Sequence, residues 1–204
     1  MKQVTALSIA VLVVAGAAWL YFTRAEDGNL TASVGAAAPA FSLEDQTGKK
    51  VSLSDFSGKK IVVLEWINPD CPYVQRHYKA GTMKSLAQKY KDKGVIWLAI
   101  NTTHYMNKET NQKWIADYQL PYQILDDHEG TVGRLYGAKT TPHMFIIDKS
   151  GKVVYQGAID DDPRGNKGEN KVNYVAKALD ELLAGKPISM PQTKPYGCSV
   201  KFAK

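Results

Sequence analysis

The sequence predicts an α/β domain that opens with a β-hairpin and ends in an extended C-terminal tail. Two observations carry this. Short apolar runs alternate with stretches of helical period through the middle of the chain, with Gly and Pro between them. The hydrophobic content of 44% in 204 residues is ample for one core.

The elements follow in order. Phe41-Ser42-Leu43 and Val51-Ser52-Leu53 flank Asp45-Gln46-Thr47-Gly48 and read as a hairpin. Ile61–Trp66 is a buried strand. Val74–Lys91, with Val74, Tyr78, Met83, Leu86, Ala87 and Tyr90 on its apolar side, reads as one helix, and Gly94 ends it. Val95–Ile100 is a second buried strand, Lys108–Tyr118 a helix, Tyr122–Leu125 a short strand and Asp127–Tyr136 a short helix, the alternation typical of parallel sheets. Met144–Asp148 and Val153–Gly157 form a hairpin across Lys149-Ser150-Gly151. Asn170–Leu183 is a closing amphipathic helix stopped by Gly185. Pro187, Pro191 and Pro195 then speak against a further regular element, so the tail is expected to be extended.

This divides the chain into an N-terminal targeting segment (1–25), a small, polar linker (26–37), the α/β domain (38–185) and the tail (186–204). Val4–Phe22 is almost uninterruptedly apolar, and at ~1.5 Å per residue it crosses most of a ~30 Å hydrocarbon layer. It reads as a signal anchor, with a cleaved signal peptide as the alternative, and in either case the domain is exported to a periplasmic or other extracytoplasmic space. There a disulfide can persist. The net charge is +6. The basic residues are interleaved with acidic ones and form no stripe with aromatics, which speaks against a nucleic-acid partner.

Cys71 and Cys198 are the only cysteines. Cys71 lies in Glu65-Trp66-Ile67-Asn68-Pro69-Asp70-Cys71-Pro72, between a strand and a helix. A thiol at a helix start meets unpaired N–H groups and the positive end of the helix dipole, which favour the thiolate. Cys71 is therefore the candidate redox nucleophile. Asp70 opposes its ionisation, while Arg76 and His77 are placed to support it. Cys198 is the candidate resolving thiol. It lies thirteen residues beyond Gly185, within reach for an extended tail at ~3.1 Å per residue. The alternative is a structural Cys71–Cys198 disulfide, which across so long a loop stabilises a fold by about 4 to 5 kcal/mol in the chain-entropy model.

Phe41-Ser42-Leu43, Gly48-Lys49-Lys50-Val51-Ser52-Leu53, Gly58 to Leu64, Trp66, Cys71-Pro72, Gly133-Arg134-Leu135-Tyr136-Gly137 and Thr141-Pro142-His143-Met144-Phe145-Ile146-Ile147-Asp148 stand in an order that resembles the thioredoxin-like superfamily, and within it the redoxins of the alkyl hydroperoxide reductase/thiol-specific antioxidant type. The resemblance spans roughly Ala38–Gly185. It implies a thioredoxin-like fold, a central mixed sheet flanked by helices, with the reactive cysteine at a helix start and a cis Pro142 near it. It also implies an enzyme that reduces protein disulfides or peroxides and draws on an external thiol electron donor. Two departures stand against it. Val74 replaces the second cysteine of the thioredoxin motif. Asn68, Leu64 and Thr141-Pro142 stand where peroxiredoxins carry a Thr or Ser, a Pro and a peroxide-orienting Arg.

Around this pair, Trp66 and Tyr73 are expected to wall the site, Pro72 to open the helix, and Asn68 to cap the turn or orient a substrate carbonyl. Thr141 and Pro142 are expected to offer backbone groups to an extended substrate segment. His143 reads as a solvated loop imidazole. Asp126-Asp127-His128-Glu129 and Asp160-Asp161-Asp162 lack the ligand spacing of a calcium loop, and Asp127 or His128 reads as a helix start; no metal and no cofactor is expected. The competing function is a non-enzymatic binding or copper-delivery module, with Cys71, Cys198 and His143 as conceivable Cu(I) ligands.

Overall fold

The computed structural model describes residues 31–204. The expected targeting segment lies outside them, and among the described residues no helix is long and apolar enough to cross a membrane. A seven-stranded sheet runs in the order β2 (Lys50–Ser52), β1 (Ser42–Asp45), β5 (Gln123–Asp126), β4 (Val95–Asn101), β3 (Ile61–Ile67), β7 (His143–Ile147), β8 (Val153–Gly157). The central β3, β4 and β5 are parallel, in register from Ile61↔Val95 to Ile67↔Asn101 and from Leu98↔Gln123 to Asn101↔Asp126. Both expected hairpins are present and flank this centre antiparallel, so the sheet is mixed, as the resemblance implies.

Strand alternation divides the core into two layers. On one face Val63, Ile67, Ala99, Met144 and Ile146 pack under α1 (Pro72–Lys79), α2 (Thr82–Lys91) and α5 (Tyr174–Leu183) through Val74, Tyr78, Met83, Tyr90, Val175 and Leu179, with Trp114 of α3 (Lys108–Tyr118) at their edge. On the other, Val62, Leu64, Trp66, Phe145 and Ile147 meet Phe41, Tyr136 and Val132 of α4 (Thr131–Leu135). Each fully buried large side chain contributes about 1.5–3 kcal/mol.

Four expectations are corrected. The helix expected over Val74–Lys91 is two helices. Gly81 takes φ 67° between them, a left-handed conformation that ends α1 and re-aims α2 onto β4. The closing helix starts at Tyr174 rather than Asn170, because the Asn173 side chain accepts from Ala176 N–H at 2.8 Å and caps it there. The linker is, in its described part, packed: Ala32 is buried and donates its N–H to Leu135 O, and Gly35 N–H bonds Val153 O. Finally, the tail forms a further element. Cys198–Ser199 (β9) pairs antiparallel with Thr140–Thr141 (β6). The three prolines exclude a helix but leave carbonyls and the N–H groups between them free to pair: Gln156 N–H bonds Pro191 O and Thr193 N–H bonds Gln156 O along the outer edge of β8.

Candidate active site

The turn after β3 builds the helix start. Cys71 N–H donates to Asn68 O at 2.9 Å, and Asp70 N–H donates to Asn68 Oδ1 at 2.8 Å. Cys71 is then the N-cap of α1, Pro72 its first residue, and Gln75 N–H donates to Cys71 O. Thr141 belongs to β6, and the Thr141–Pro142 peptide bond is cis. That loop reaches the cysteine: Cys71 Sγ lies 3.0 Å from Thr141 O.

β9 lies against the other edge of the same loop, with Cys198 the register partner of Thr141. The approach is so close that a Cβ on Gly197 would come within 2.1 Å of Thr141 O, and Gly197 has φ 133°. Only glycine fits there. Both cysteines are free thiols. Cys71 does not stand open to solvent at this helix start: it is 1% exposed, and Tyr196 and Cys198 of the tail pack against the same apolar cluster.

Burial works to raise the Cys71 thiol. The Cys198 thiol, then the backbone N–H groups of Val74 and Cys198, work against it and hold Cys71 below the ordinary cysteine value. Val74 N–H is one of the free donors of the first helical turn. Cys198 moves oppositely, pushed up to about 11 by burial, by its hydrogen bond to Cys71 and by the Cys71 charge. One sulfur is thus favoured as the anion and its neighbour as the proton carrier.

The remaining predicted residues divide by location. Pro72, Thr141 and Pro142 adjoin Cys71. Tyr73, 37% exposed, flanks the tail with its ring 6.0 Å from that of Tyr196. Asn68 is buried and caps the turn. Trp66 does not wall the site: it belongs to the opposite core layer, packs on Tyr136 and Phe145, and donates to Thr102 Oγ1 at 3.1 Å. His143 is not a solvated loop imidazole. It is the first residue of β7, buried, and its ring sits 4.6 Å from Phe145 on the Trp66 side of the sheet, away from Cys71. The Cys71–Cys198–His143 copper trio therefore does not converge. Arg76 and His77 give the thiolate little support: Arg76 donates to Asp162 O and Pro163 O, while burial pushes His77 down to about 4 and leaves it neutral.

The acidic clusters serve loops. Asp127 accepts from Thr102 Oγ1, Val132 N–H and Gly133 N–H and caps α4 from four residues before it, and Asp162 accepts from Asn166 and Lys167 N–H. One buried acid went unnoticed in the sequence. Glu65 lies on the Cys71 face of β3, fully buried, with Oε2 accepting from Trp97 Nε1 at 2.8 Å and Oε1 without a partner among the described residues. Burial pushes it up to about 8. Its signal was a lone carboxylate in an otherwise apolar strand.

The model of the AhpC/TSA family matches residues 34–156, which takes in the hairpin, the Cys71 helix start and the cis-Pro142 loop. The chain belongs to the AhpC/TSA family. Its architecture is thioredoxin-like. Among the relatives of this AhpC/TSA protein, the thiol-disulfide oxidoreductase ResA of Bacillus thuringiensis subsp. konkukian is 31% identical over 145 residues, covering 67% of this chain and 73% of that one. The chloroplastic peroxiredoxin Q of Suaeda salsa is 28% identical over 141 residues, 65% of this chain and 64% of that one. A crystal structure of an uncharacterized conserved protein from Geobacillus kaustophilus superposes with a TM-score of 0.76 at 32% identity, covering 84% of this chain and 93% of that one. The protein is an oxidoreductase of this thiol-disulfide and peroxiredoxin-like group.

Proposed function

We propose that the protein is a thiol-disulfide oxidoreductase in which Cys71 is the redox nucleophile and Cys198 the resolving thiol. The observation that carries this is the meeting of both cysteines at Thr141, one with its sulfur 3.0 Å from the carbonyl and the other as its strand partner. The Cys71 thiolate attacks a substrate disulfide, an S–S bond forms to one substrate sulfur, and the other leaves as a thiolate. Once Cys71 is bonded, its charge and hydrogen bond no longer hold Cys198 protonated. Cys198 then attacks Cys71, releases the second substrate thiol and leaves a Cys71–Cys198 disulfide for an external thiol donor to reduce. The Thr140–Thr141 edge, paired here with β9, receives the extended substrate segment when the tail is displaced, as in strand addition.

Peroxide is the second substrate, favoured by the peroxiredoxin Q relative. The Cys71 thiolate would then attack one peroxide oxygen, break the O–O bond with the other oxygen leaving as water or an alcohol, and become a sulfenic acid, which Cys198 converts to the same disulfide with release of water. Asn68 and Thr141 at the peroxiredoxin Thr and Arg positions favour disulfide exchange. Export, with Val4–Phe22 as a membrane anchor, is part of the proposal. It is supported by the length of that apolar run, and N-terminal sequencing of the mature protein tests it.

A redox titration tests the pair against the structural alternative. The Cys71–Cys198 couple is expected to equilibrate with other exchangers above roughly −300 mV; a couple well below that is a structural disulfide.

A further inference from the structure

The edge that would receive a substrate is occupied by the protein's own tail, and Tyr196 holds it there. Its hydroxyl donates to Asp160 Oδ1 and lies 2.9 Å from His77 Nε2, with Arg76 Nη2 at 3.5 Å. Its ring lies between those of Tyr73 and His77, at 6.0 and 6.2 Å. Asp160 and His77 are buried. The mechanism uses none of these contacts. Beyond the cysteine, Val200 N–H bonds Lys139 O, His104 N–H bonds Lys201 O, and Arg134 Nη2 donates to Ala203 O. Cys198 is therefore suspended between a side-chain latch two residues before it and backbone anchors after it.

We infer that Tyr196 is the positioning residue of the resolving step, latching the tail so that Cys198 is presented to Cys71 as a tethered substrate strand, and that the same latch closes the Thr140–Thr141 edge to other polypeptides. This rests on Cys71 being the nucleophile. Resolution and external attack then compete for one edge, and loosening the latch moves their rates in opposite directions. A residue that merely stabilised the fold would not separate them.

The aromatic disulfide dithiobis(nitrobenzoate) reads both steps in the full chain. Cys71 attack breaks its S–S bond and releases one coloured thiolate, leaving a mixed disulfide; Cys198 attack on Cys71 releases the second and closes the intramolecular disulfide. In Tyr196→Phe, which keeps the ring, the first release is expected to accelerate several-fold and the second to slow by about tenfold. Gly197→Ala, whose Cβ would meet Thr141 O at 2.1 Å, dislodges the strand independently and is expected to give the same pair of opposite changes. Equal or same-direction changes in both variants overturn the latch while leaving Cys71 as nucleophile. Absence of any release from Cys198→Ser overturns the reading of Cys71 itself, and the latch with it.

Discussion

Cys198 stands directly opposite Thr141 in the β6–β9 pair, and the Thr141 carbonyl lies 3.0 Å from Cys71 Sγ. A residue near the C-terminus is thereby delivered to a helix start more than a hundred positions earlier, through a loop that touches both. The pairing links the acidity of one thiol to the presence of the other.

Removing the donor at 198 should therefore raise the Cys71 thiol. Cys198→Ala loses the hydrogen bond, whereas Cys198→Ser keeps a hydroxyl donor. The pH dependence of iodoacetamide alkylation, followed at Cys71 by peptide mass, is expected to have a midpoint below that of a free cysteine in the wild type. It should stay low in Cys198→Ser and rise in Cys198→Ala. An unmoved midpoint in the alanine variant removes Cys198 from the activation of Cys71.

Glu65 gives a stability signature of definite sign. Its folded value is raised from 4.5 to about 8, so between these the native state binds a proton that the unfolded state has lost. Stability is present below the unfolded value and falls as pH rises to about 8. Glu65→Gln should remove this fall and, at pH 8, be more stable than the wild type by about 2–4 kcal/mol. Urea midpoints at pH 5 and pH 8 check it, and a parallel fall in both proteins counts against the buried acid.

His143 acts on the acid side. Burial pushes it from 6.5 down to about 3, so the unfolded chain takes up a proton that the native state refuses. Stability is complete above about 6.5 and lost as pH falls, by up to about 1.4 kcal/mol per pH unit. His143→Gln should flatten this slope between pH 6.5 and pH 4, read as the difference from wild type in urea midpoints. His77, also depressed, contributes with the same sign and should leave part of the slope in place.

Asp127 caps α4 and holds Thr102. Asp127→Ala leaves two buried N–H groups and a hydroxyl without their acceptor, and is expected to cost about 2–4 kcal/mol in a denaturant titration. Cys71 alkylation in the folded variant should be unchanged. A loss below half a kcal/mol means water replaces the carboxylate.

The apolar runs were the legible part of this chain. Ile61–Trp66, Val95–Ile100 and the two hairpins were readable because burial on both faces or strict alternation leaves a local imprint, and Lys108–Tyr118 because it fills the helical place between two strands. Cys71 at a helix start followed from the Pro next to it. The rest is set by contacts distant in sequence. Gly81 breaks a helical period that continues through it, the tail's strand exists only because Thr141 faces it, and the placement of Trp66 and His143 on the far side of the sheet depends on which face the Cys71 helix covers. Glu65 was misleading in its ordinariness, since a single letter in an apolar strand does not announce that its carboxyl is sealed in.

Trapping tests the central claim most directly. Full-length Cys198→Ser, exposed to its native compartment or to a disulfide-bearing protein and then acid-quenched, should carry a mixed disulfide on Cys71 that mass spectrometry identifies and that Cys71→Ser lacks. Cys71 recovered only as the free thiol in Cys198→Ser, or the same adducts found on Cys71→Ser, would contradict the account.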